Sequence, residues 1–331
     1  MSVDGSLRFR TRTRTGNHDG RHCVGQAMTE LPSNPILRGR RELVAVCAVV
    51  AAVAIVLAAC SGVPSGSPGP SPIPTSDPSL IDHSAGATDV VLRFEEGGGF
   101  VPFGFFATQA PQFTLYGDGT VIFRDSSTNL PPQVGDVMPL TPYAIAKLSE
   151  VQVQNLLRFA LADSGLGVAR AAYHPGTVAD APTATFTVNA GGLAKRVAVE
   201  ALGIDTSQGP DTLILKALAG LGGRLRNFSG FVNGETAWVP DRFRGLLTEQ
   251  SFNPPQPQTK PWPWKDVGPG DFVQAAGPDA PQFPIHTLTF GQVQALGIAG
   301  SEGGFSGLSL VGPDGKTYTL AVRPLLPDER F

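Results

Sequence analysis

The sequence predicts an α+β fold in which antiparallel β-hairpins pack against a few amphipathic helices. Three hairpin patterns lead to this prediction, because each has two β-rich arms around a turn that contains glycine. The hairpins cover residues 112–124, 184–200 and 307–322, with turns at Gly117-Asp118-Gly119, Asn189-Ala190-Gly191-Gly192 and Gly312-Pro313-Asp314-Gly315. The 40 Gly and 30 Pro among 331 residues argue against a helical bundle, since both residue types disrupt helix interiors.

Two helices are expected beside these hairpins. The clearest one begins at Ser149, which can form a capping box with Gln152 and precedes an apolar stripe at helical spacing. A second is expected over residues 211–228, although glycines at 220, 222 and 223 each weaken it by about 1 kcal/mol relative to Ala. Strands are further predicted over residues 89–96 and 243–248, and a loop over residues 253–263.

Two segments of the chain have similar sequences. Residues 148–156 read LSEVQVQNL and residues 288–296 read LTFGQVQAL, with five identities and Ser or Thr at the helix cap. Each copy precedes a hairpin, which suggests two related helix-plus-hairpin units. Two unrelated capped helices would produce the same similarity, so both interpretations remain open.

The first sixty residues predict an export signal rather than part of the fold. Arg38-Gly39-Arg40-Arg41 precedes an uncharged apolar run over residues 43–59, and Cys60 follows directly. A basic start, an apolar middle and small residues at the end are typical of a signal peptide. The run is about 17 residues long, close to the roughly 20 that span a bilayer, so an uncleaved membrane helix is the alternative. Both interpretations place the later residues outside the cytoplasm.

The ending Leu57-Ala58-Ala59-Cys60 resembles the lipobox of bacterial lipoproteins. This resemblance implies cleavage before Cys60 and acylation of its thiol, with two or three acyl chains holding the protein on the membrane. The export route, general secretory or twin-arginine, stays open.

The chain is therefore divided into five parts. Residues 1–27 either precede the true start at Met28 or form a disordered tail, and residues 28–59 are the signal peptide. Residues 60–88 are a tether rich in Pro, Ser and Gly, which favours extended polyproline II. Two α+β domains are expected to follow, over residues 89–229 and, with a linker rich in Trp and Pro, over residues 230–331.

The charge and cysteine content exclude several classes of protein. Without residues 1–59, the chain keeps 17 of its 25 basic and 24 of its 28 acidic residues, which argues against a nucleic-acid binder. Cys60 is then the one remaining cysteine, so neither an internal disulfide nor a four-cysteine zinc site can form.

Several longer motifs resemble an uncharacterised family of bacterial lipoproteins. They are FEEGGGFVPFGFFATQAPQFTLYGDGTVI, LSEVQVQNLL, VADAPTATFTVNAGG and the closing RPLLPDE. The first half is similar to a wider domain of unknown function with a YGDGTV hairpin and a DAPT strand. The resemblance covers most of residues 89–329. It implies an extracytoplasmic α+β fold and brings no catalytic residue with it.

Few residues are candidates for chemistry. The chain contains no zinc-protease, C-x-x-C, Walker or dinucleotide motif, and we predict no catalytic residue, metal site or cofactor. His174 and Asp180 could place an imidazole near a carboxylate, although Asp180 in a turn more commonly orders its own loop. Trp262 and Trp264 in a Pro-rich segment could stack on sugars or partner proteins, or pack between domains.

These observations favour a lipid-anchored protein on the extracytoplasmic side of the cell membrane. We predict a non-enzymatic binding or interaction module whose partner is an envelope protein or a cell-wall ligand. Two alternatives remain: a structural or assembly subunit of an envelope complex, and an envelope hydrolase with its site near His174 and Asp180.

Overall fold

Strands and short helices of the computed structural model account for an α+β fold, as predicted. The structure describes residues 79–101, 103–174, 178–204, 209–250, 258–276 and 283–330. All of them belong to one compact unit, Pro72–Phe331. The predicted segments 1–27 and 28–59, Cys60 and most of the predicted tether lie outside the described residues. None of the helices within the described ranges has the length and hydropathy needed to span a membrane.

The elements follow one another along the chain in this order: β1 (Val90–Gly97), α1 (Phe103–Thr108), β2 (Phe113–Tyr116), β3 (Thr120–Arg124), β4 (Met138–Pro139), β5 (Tyr143–Lys147), α2 (Glu150–Arg158), β6 (Ala172–Tyr173), β7 (Thr183–Ala190), β8 (Leu193–Glu200), α3 (Thr212–Arg226), β9 (Thr236–Ala237), β10 (Arg242–Glu249), β11 (Lys260–Pro261), β12 (Val273–Gln274), β13 (Pro284–Thr289), α4 (Phe290–Gln294), β14 (Phe305–Val311) and β15 (Thr317–Pro324). The first sheet has the strand order β6-β8-β7-β1-β2-β3-β5-β9. The second has the order β11-β14-β15-β10-β13-β12, and β4 pairs with β14.

All three predicted hairpins are confirmed, as β2–β3, β7–β8 and β14–β15. The first turn shows why its residues predict a hairpin. Gly119 has a φ of 83°, a conformation that costs glycine little. The Asp118 carboxylate accepts a hydrogen bond from the Thr120 amide at 2.9 Å, which closes the turn.

The two predicted helices are also confirmed. Ser149 caps α2, and the amide of Ser149 donates to the Gln152 side chain at 2.9 Å, so the capping box is present. After Arg158, residues Phe159–Asp163 continue as a π-helix. In α3, Gly222 has a packing role, because a Cβ there would lie 2.9 Å from the Leu202 side chain and 3.4 Å from the Phe94 ring.

Helices α2 and α3 cover one face of the first sheet. The buried side chains of this face include Leu92, Phe94, Phe113, Phe123 and Phe186, and they pack with leucines of both helices. Because side chains alternate along a strand, the residues between them point to the opposite face. We call the face on the helix side the inner face and the opposite one the outer face.

The two similar segments, residues 148–156 and 288–296, share their local structure but not their topology. Thr289 caps α4 through a capping box with Gln292, as Ser149 does for α2. In the first sheet, the leading arm of the next hairpin, β7, pairs with the central strand β1. In the second sheet, the trailing arm, β15, pairs with β10. The local pattern therefore specified a capped helix and a hairpin, while sheet pairing differed.

Two sequence expectations need correction. Within the predicted loop over residues 253–263, Lys260–Pro261 forms the edge strand β11, which pairs with β14 in parallel. Ordered packing also begins before residue 89. The Ile81 amide donates to the Gln154 side chain at 2.8 Å, and that side chain donates back to the Ile81 carbonyl at 2.9 Å. The end of the predicted 60–88 tether is therefore attached to α2.

Candidate functional site

The outer face of the first sheet is divided into a covered half and an open half. The C-terminal segment after β15, residues 325–329, lies over the covered half. There Leu326 is fully buried and packs with Tyr116, Ile122 and Tyr143. The open half carries polar side chains from β1, β7 and β8, and it forms the floor of a cleft.

Ion pairs and hydrogen bonds hold the C-terminal segment in place. The Asp328 carboxylate accepts from the Arg93 guanidinium at 2.6 Å and from the Tyr116 hydroxyl at 2.7 Å. Burial raises the pKa of Tyr116, and the negative charge of Asp328 adds to this effect. The phenol therefore stays protonated and continues to donate.

Glu329 forms the second attachment. Its carboxylate accepts from the Arg323 guanidinium at 2.7 and 2.9 Å and from the Leu326 amide at 2.8 Å. Burial acts to raise the pKa of Glu329, but the hydrogen bonds and positive charge of Arg323 outweigh it and the pKa is lowered. Glu329 is therefore ionised and paired at neutral pH.

A polar cleft of about 410 Å³ lies where the open half meets this segment. Its floor contains Glu95 of β1, Thr183 and Thr185 of β7, and Arg196 of β8. Glu95 is directly opposite Thr185, and Arg196 is directly opposite Thr187. The walls are formed by Gly97 and Gly98, Gln109 to Pro111, and the Arg323–Glu329 pair.

The charges of the cleft differ in how they are neutralised. The Glu96 carboxylate accepts from the Arg226 guanidinium of α3 at 2.6 and 2.7 Å. Glu96 thus points to the inner side, because neighbouring side chains alternate along a strand and Glu95 faces the cleft. Within the described part of the chain, neither Glu95 nor Arg196 forms an ion pair or a side-chain hydrogen bond. Among the described residues, the cleft therefore holds a carboxylate and a guanidinium without an ion pair, although Glu95 also interacts electrostatically with Arg93 on the same strand.

The predicted pair of His174 and Asp180 is not formed by contact between the described side chains. The His174 side chain is 72% exposed, and its Nδ1 lies 3.3 Å from a carboxylate oxygen of Glu200. Asp180 has a φ of 57°, and its backbone carbonyl accepts from the Phe100 amide at 3.1 Å. Asp180 thus acts through its backbone in this contact, and among the described residues no hydrogen bond of its carboxylate orders the loop.

Sequence reasoning missed Glu200, because it lies 26 residues from His174. The parallel pairing of β6 with β8 brings the two together. Glu200 is opposite Thr183, which places it on the outer face at the edge of the cleft floor.

The two tryptophans lie in the interior of the second sheet. Trp264 is 8% exposed, and its indole N–H donates to the Gln292 carbonyl at 2.9 Å. The Trp262 indole donates to the Val267 carbonyl at 2.6 Å, and its ring packs edge-on against Trp264 at 5.3 Å between centroids. Both indole N–H groups donate to backbone carbonyls, and most of the Trp264 ring is buried. Trp264 is therefore part of the core of the second sheet and the half-buried Trp262 packs against that core, while the stacking role stays a prediction.

A second cavity, of about 410 Å³, lies beside β4 and β14. Its lining is mainly proline and aliphatic, including Val134, Ile298 and Leu308. Its charged side chain, Lys260, already donates to the Leu296 carbonyl at 2.9 Å. Binding sites usually combine shape with a few convergent polar groups. The polar cleft meets that description better.

The polar cleft presents charged side chains of both signs and threonine hydroxyls to a ligand. Among the described residues, no group of three or more His, Cys, Asp and Glu side chains is arranged to hold a metal ion. Comparison with family models, with curated proteins and with solved structures found no match to the chain. The candidate site therefore rests on its own geometry: a concave sheet surface with unneutralised charges of both signs.

Proposed function

We propose that the protein is a lipid-anchored binding protein of the cell envelope, whose ligand site is the polar cleft. The observation that carries this proposal is the cleft of about 410 Å³ that holds the free charges of Glu95 and Arg196. Its size falls in the usual range for small-ligand sites.

The cleft is well suited to bind because its backbone framework is fixed before a ligand arrives. Glu95, Thr185 and Arg196 stand on three neighbouring strands of one sheet, and the C-terminal segment is fixed by Asp328 and Glu329. Little backbone and loop entropy is then lost on binding, which leaves more of the interaction energy as affinity.

Lipid attachment is supported by the sequence around Cys60. The lipobox ends at Cys60, and the first described residue is Ser79. A Pro-rich stretch between them, extended at about 3.1 Å per residue, would reach roughly 60 Å. The cleft would then be held near the outer face of the membrane while remaining clear of its surface.

Attachment is tested by metabolic labelling with an alkynyl fatty acid in cells that express the full chain. We expect label on the wild-type protein and none on Cys60→Ser. An unlabelled wild-type protein would remove the membrane part of the proposal.

Ligand binding is tested by placing a photo-crosslinking residue at position 183, on the cleft floor, in the full-length protein in its own cells. The matched control position is Val273, which is 60% exposed on an edge strand of the second sheet. We expect an adduct of constant mass at position 183 that is absent at position 273. Identical spectra at the two positions would contradict a ligand site in the cleft, and conversion of the captured molecule by the protein would contradict a non-enzymatic role.

A further inference from the structure

The free charges of the cleft specify the kind of ligand that fits it. Because Glu95 and Arg196 have opposite signs, a simple anion would be repelled by Glu95 and a simple cation by Arg196. The remaining charges are already paired, Glu96 with Arg226 and Glu329 with Arg323. A molecule with one positive and one negative group satisfies both free charges at once.

The spacing of Glu95 and Arg196 on the sheet gives a scale for the length of that molecule. Thr187 is opposite both Arg93 and Arg196, and Glu95 lies two residues beyond Arg93 on β1. Glu95 and Arg196 are thus two strands apart and two residues out of register. With about 4.8 Å between strands and about 3.4 Å per residue, their backbones are about 12 Å apart. Two to four extended residues, at about 3.5 Å each, cover a comparable distance.

The floor between the charges offers a hydrogen-bonding group. Thr185 is directly opposite Glu95, lines the cleft and is only 7% exposed. Within the described residues, no side-chain hydrogen bond satisfies its hydroxyl. Because Thr185 lines the cleft, its hydroxyl is placed to form a hydrogen bond with a ligand amide.

We propose that the cleft binds a short peptide of two to four residues with both ends free. Its ammonium group faces Glu95, its carboxylate faces Arg196, and a backbone amide meets the Thr185 hydroxyl. This inference rests on the proposed function, because it names the ligand class of the same cleft.

The test is isothermal titration of the full-length protein, purified in detergent, with four forms of tri-L-alanine. The forms have free ends, an acetylated amino end, an amidated carboxyl end, or both ends blocked. We expect the free peptide to bind and each single block to weaken binding by about tenfold or more, because each removes a charge-assisted hydrogen bond.

Two variants assign the ends of the peptide. Glu95→Gln should bind the free and acetylated peptides equally while still rejecting the amidated one. Arg196→Gln should bind the free and amidated peptides equally while still rejecting the acetylated one. Arg158→Gln, an exposed substitution on α2, is the matched control and should retain the wild-type preferences.

Equal binding of all four peptides, or no binding of the free peptide by the wild-type protein, would overturn this inference. If the crosslinker at position 183 still captures a ligand, the proposed binding function stands and only its ligand class is lost. If position 183 also captures nothing specific, both proposals fail together.

Discussion

Both halves of the outer face of the first sheet carry charged and polar side chains. The halves differ in whether another part of the chain pairs with these side chains. On the covered half, Arg93 and Tyr116 are satisfied by Asp328 of the C-terminal segment. On the open half, Glu95 and Arg196 stand on the same face without a partner among the described residues. The difference shows that a polar sheet face becomes structural where the chain itself folds back over it. Where the chain leaves it open, the same kind of face is available to a ligand.

The largest expected effect comes from removing the apolar contact of the covered half. Leu326→Ala should lower the free energy of unfolding by about 2–5 kcal/mol, because it opens a cavity against Tyr116, Ile122 and Tyr143. Chemical denaturation of the full-length protein measures this change. Leu213→Ala is the control, since Leu213 is 84% exposed on α3 and its truncation should change stability little. Equal losses for both variants would mean that the C-terminal segment is not a structural cover.

The Glu329–Arg323 pair should make the cover sensitive to acid. The pKa of Glu329 is lowered in the folded protein, so its contribution to stability is complete above about pH 4.3, the usual pKa of a glutamate. The contribution is lost as the pH falls through the lower pKa of the folded state. Glu329→Gln should cost about 2–3 kcal/mol at pH 7 and show a weaker acid dependence than the wild type. Parallel stability curves for the two proteins between pH 7 and pH 3 would contradict this assignment.

A smaller effect is expected where the Asp328 attachment loses one hydrogen bond. Tyr116→Phe removes the phenol that donates to Asp328 while keeping the ring in the covered half. The expected loss is about 1–2 kcal/mol in the free energy of unfolding, since Arg93 still pairs with Asp328. Combining Tyr116→Phe with Arg93→Gln should give a non-additive loss, because both side chains contact the same carboxylate. Strict additivity would argue against a shared role.

The smallest effect on stability should come from the open half. Glu95→Gln and Arg196→Gln should each change the free energy of unfolding by less than about 0.5 kcal/mol, because neither side chain forms an ion pair or a side-chain hydrogen bond among the described residues. Each variant should nevertheless lose the preference for the peptide end that its charge recognises. A large destabilisation by either variant would show that the open half is also structural and would remove the contrast between the two halves.

Local sequence signals predicted the elements of the fold well. The glycine turns of the hairpins and the capping box at Ser149 involve residues within a few positions of one another, so their spacing can be recognised in the chain. The same signals could not predict that β7 pairs with β1 in one sheet while β15 pairs with β10 in the other. Pairing of distant strands depends on which apolar faces are buried together.

The candidate site was less accessible to sequence reasoning. His174 and Asp180 were paired because they are near in sequence, whereas the contact in the structure is between His174 and Glu200. Trp262 and Trp264 were candidates because their segment is rich in proline, yet they pack with Phe272 and Tyr318 in the second sheet. No local signal indicated that Glu96 would be neutralised by Arg226, 130 residues away.

The amino-acid sequence alone determined the α+β class, the three hairpins, the two main helices and their caps, because short-range geometry and hydrogen bonds specify each of them. Tertiary structure alone decided which half of the outer face is covered. That decision depends on Asp328 and Glu329 meeting Arg93 and Arg323, and the Arg93–Asp328 contact joins residues 235 positions apart. Whether a charge is neutralised or left free depends on such distant contacts, and the free charges of the cleft are therefore a property of the folded molecule.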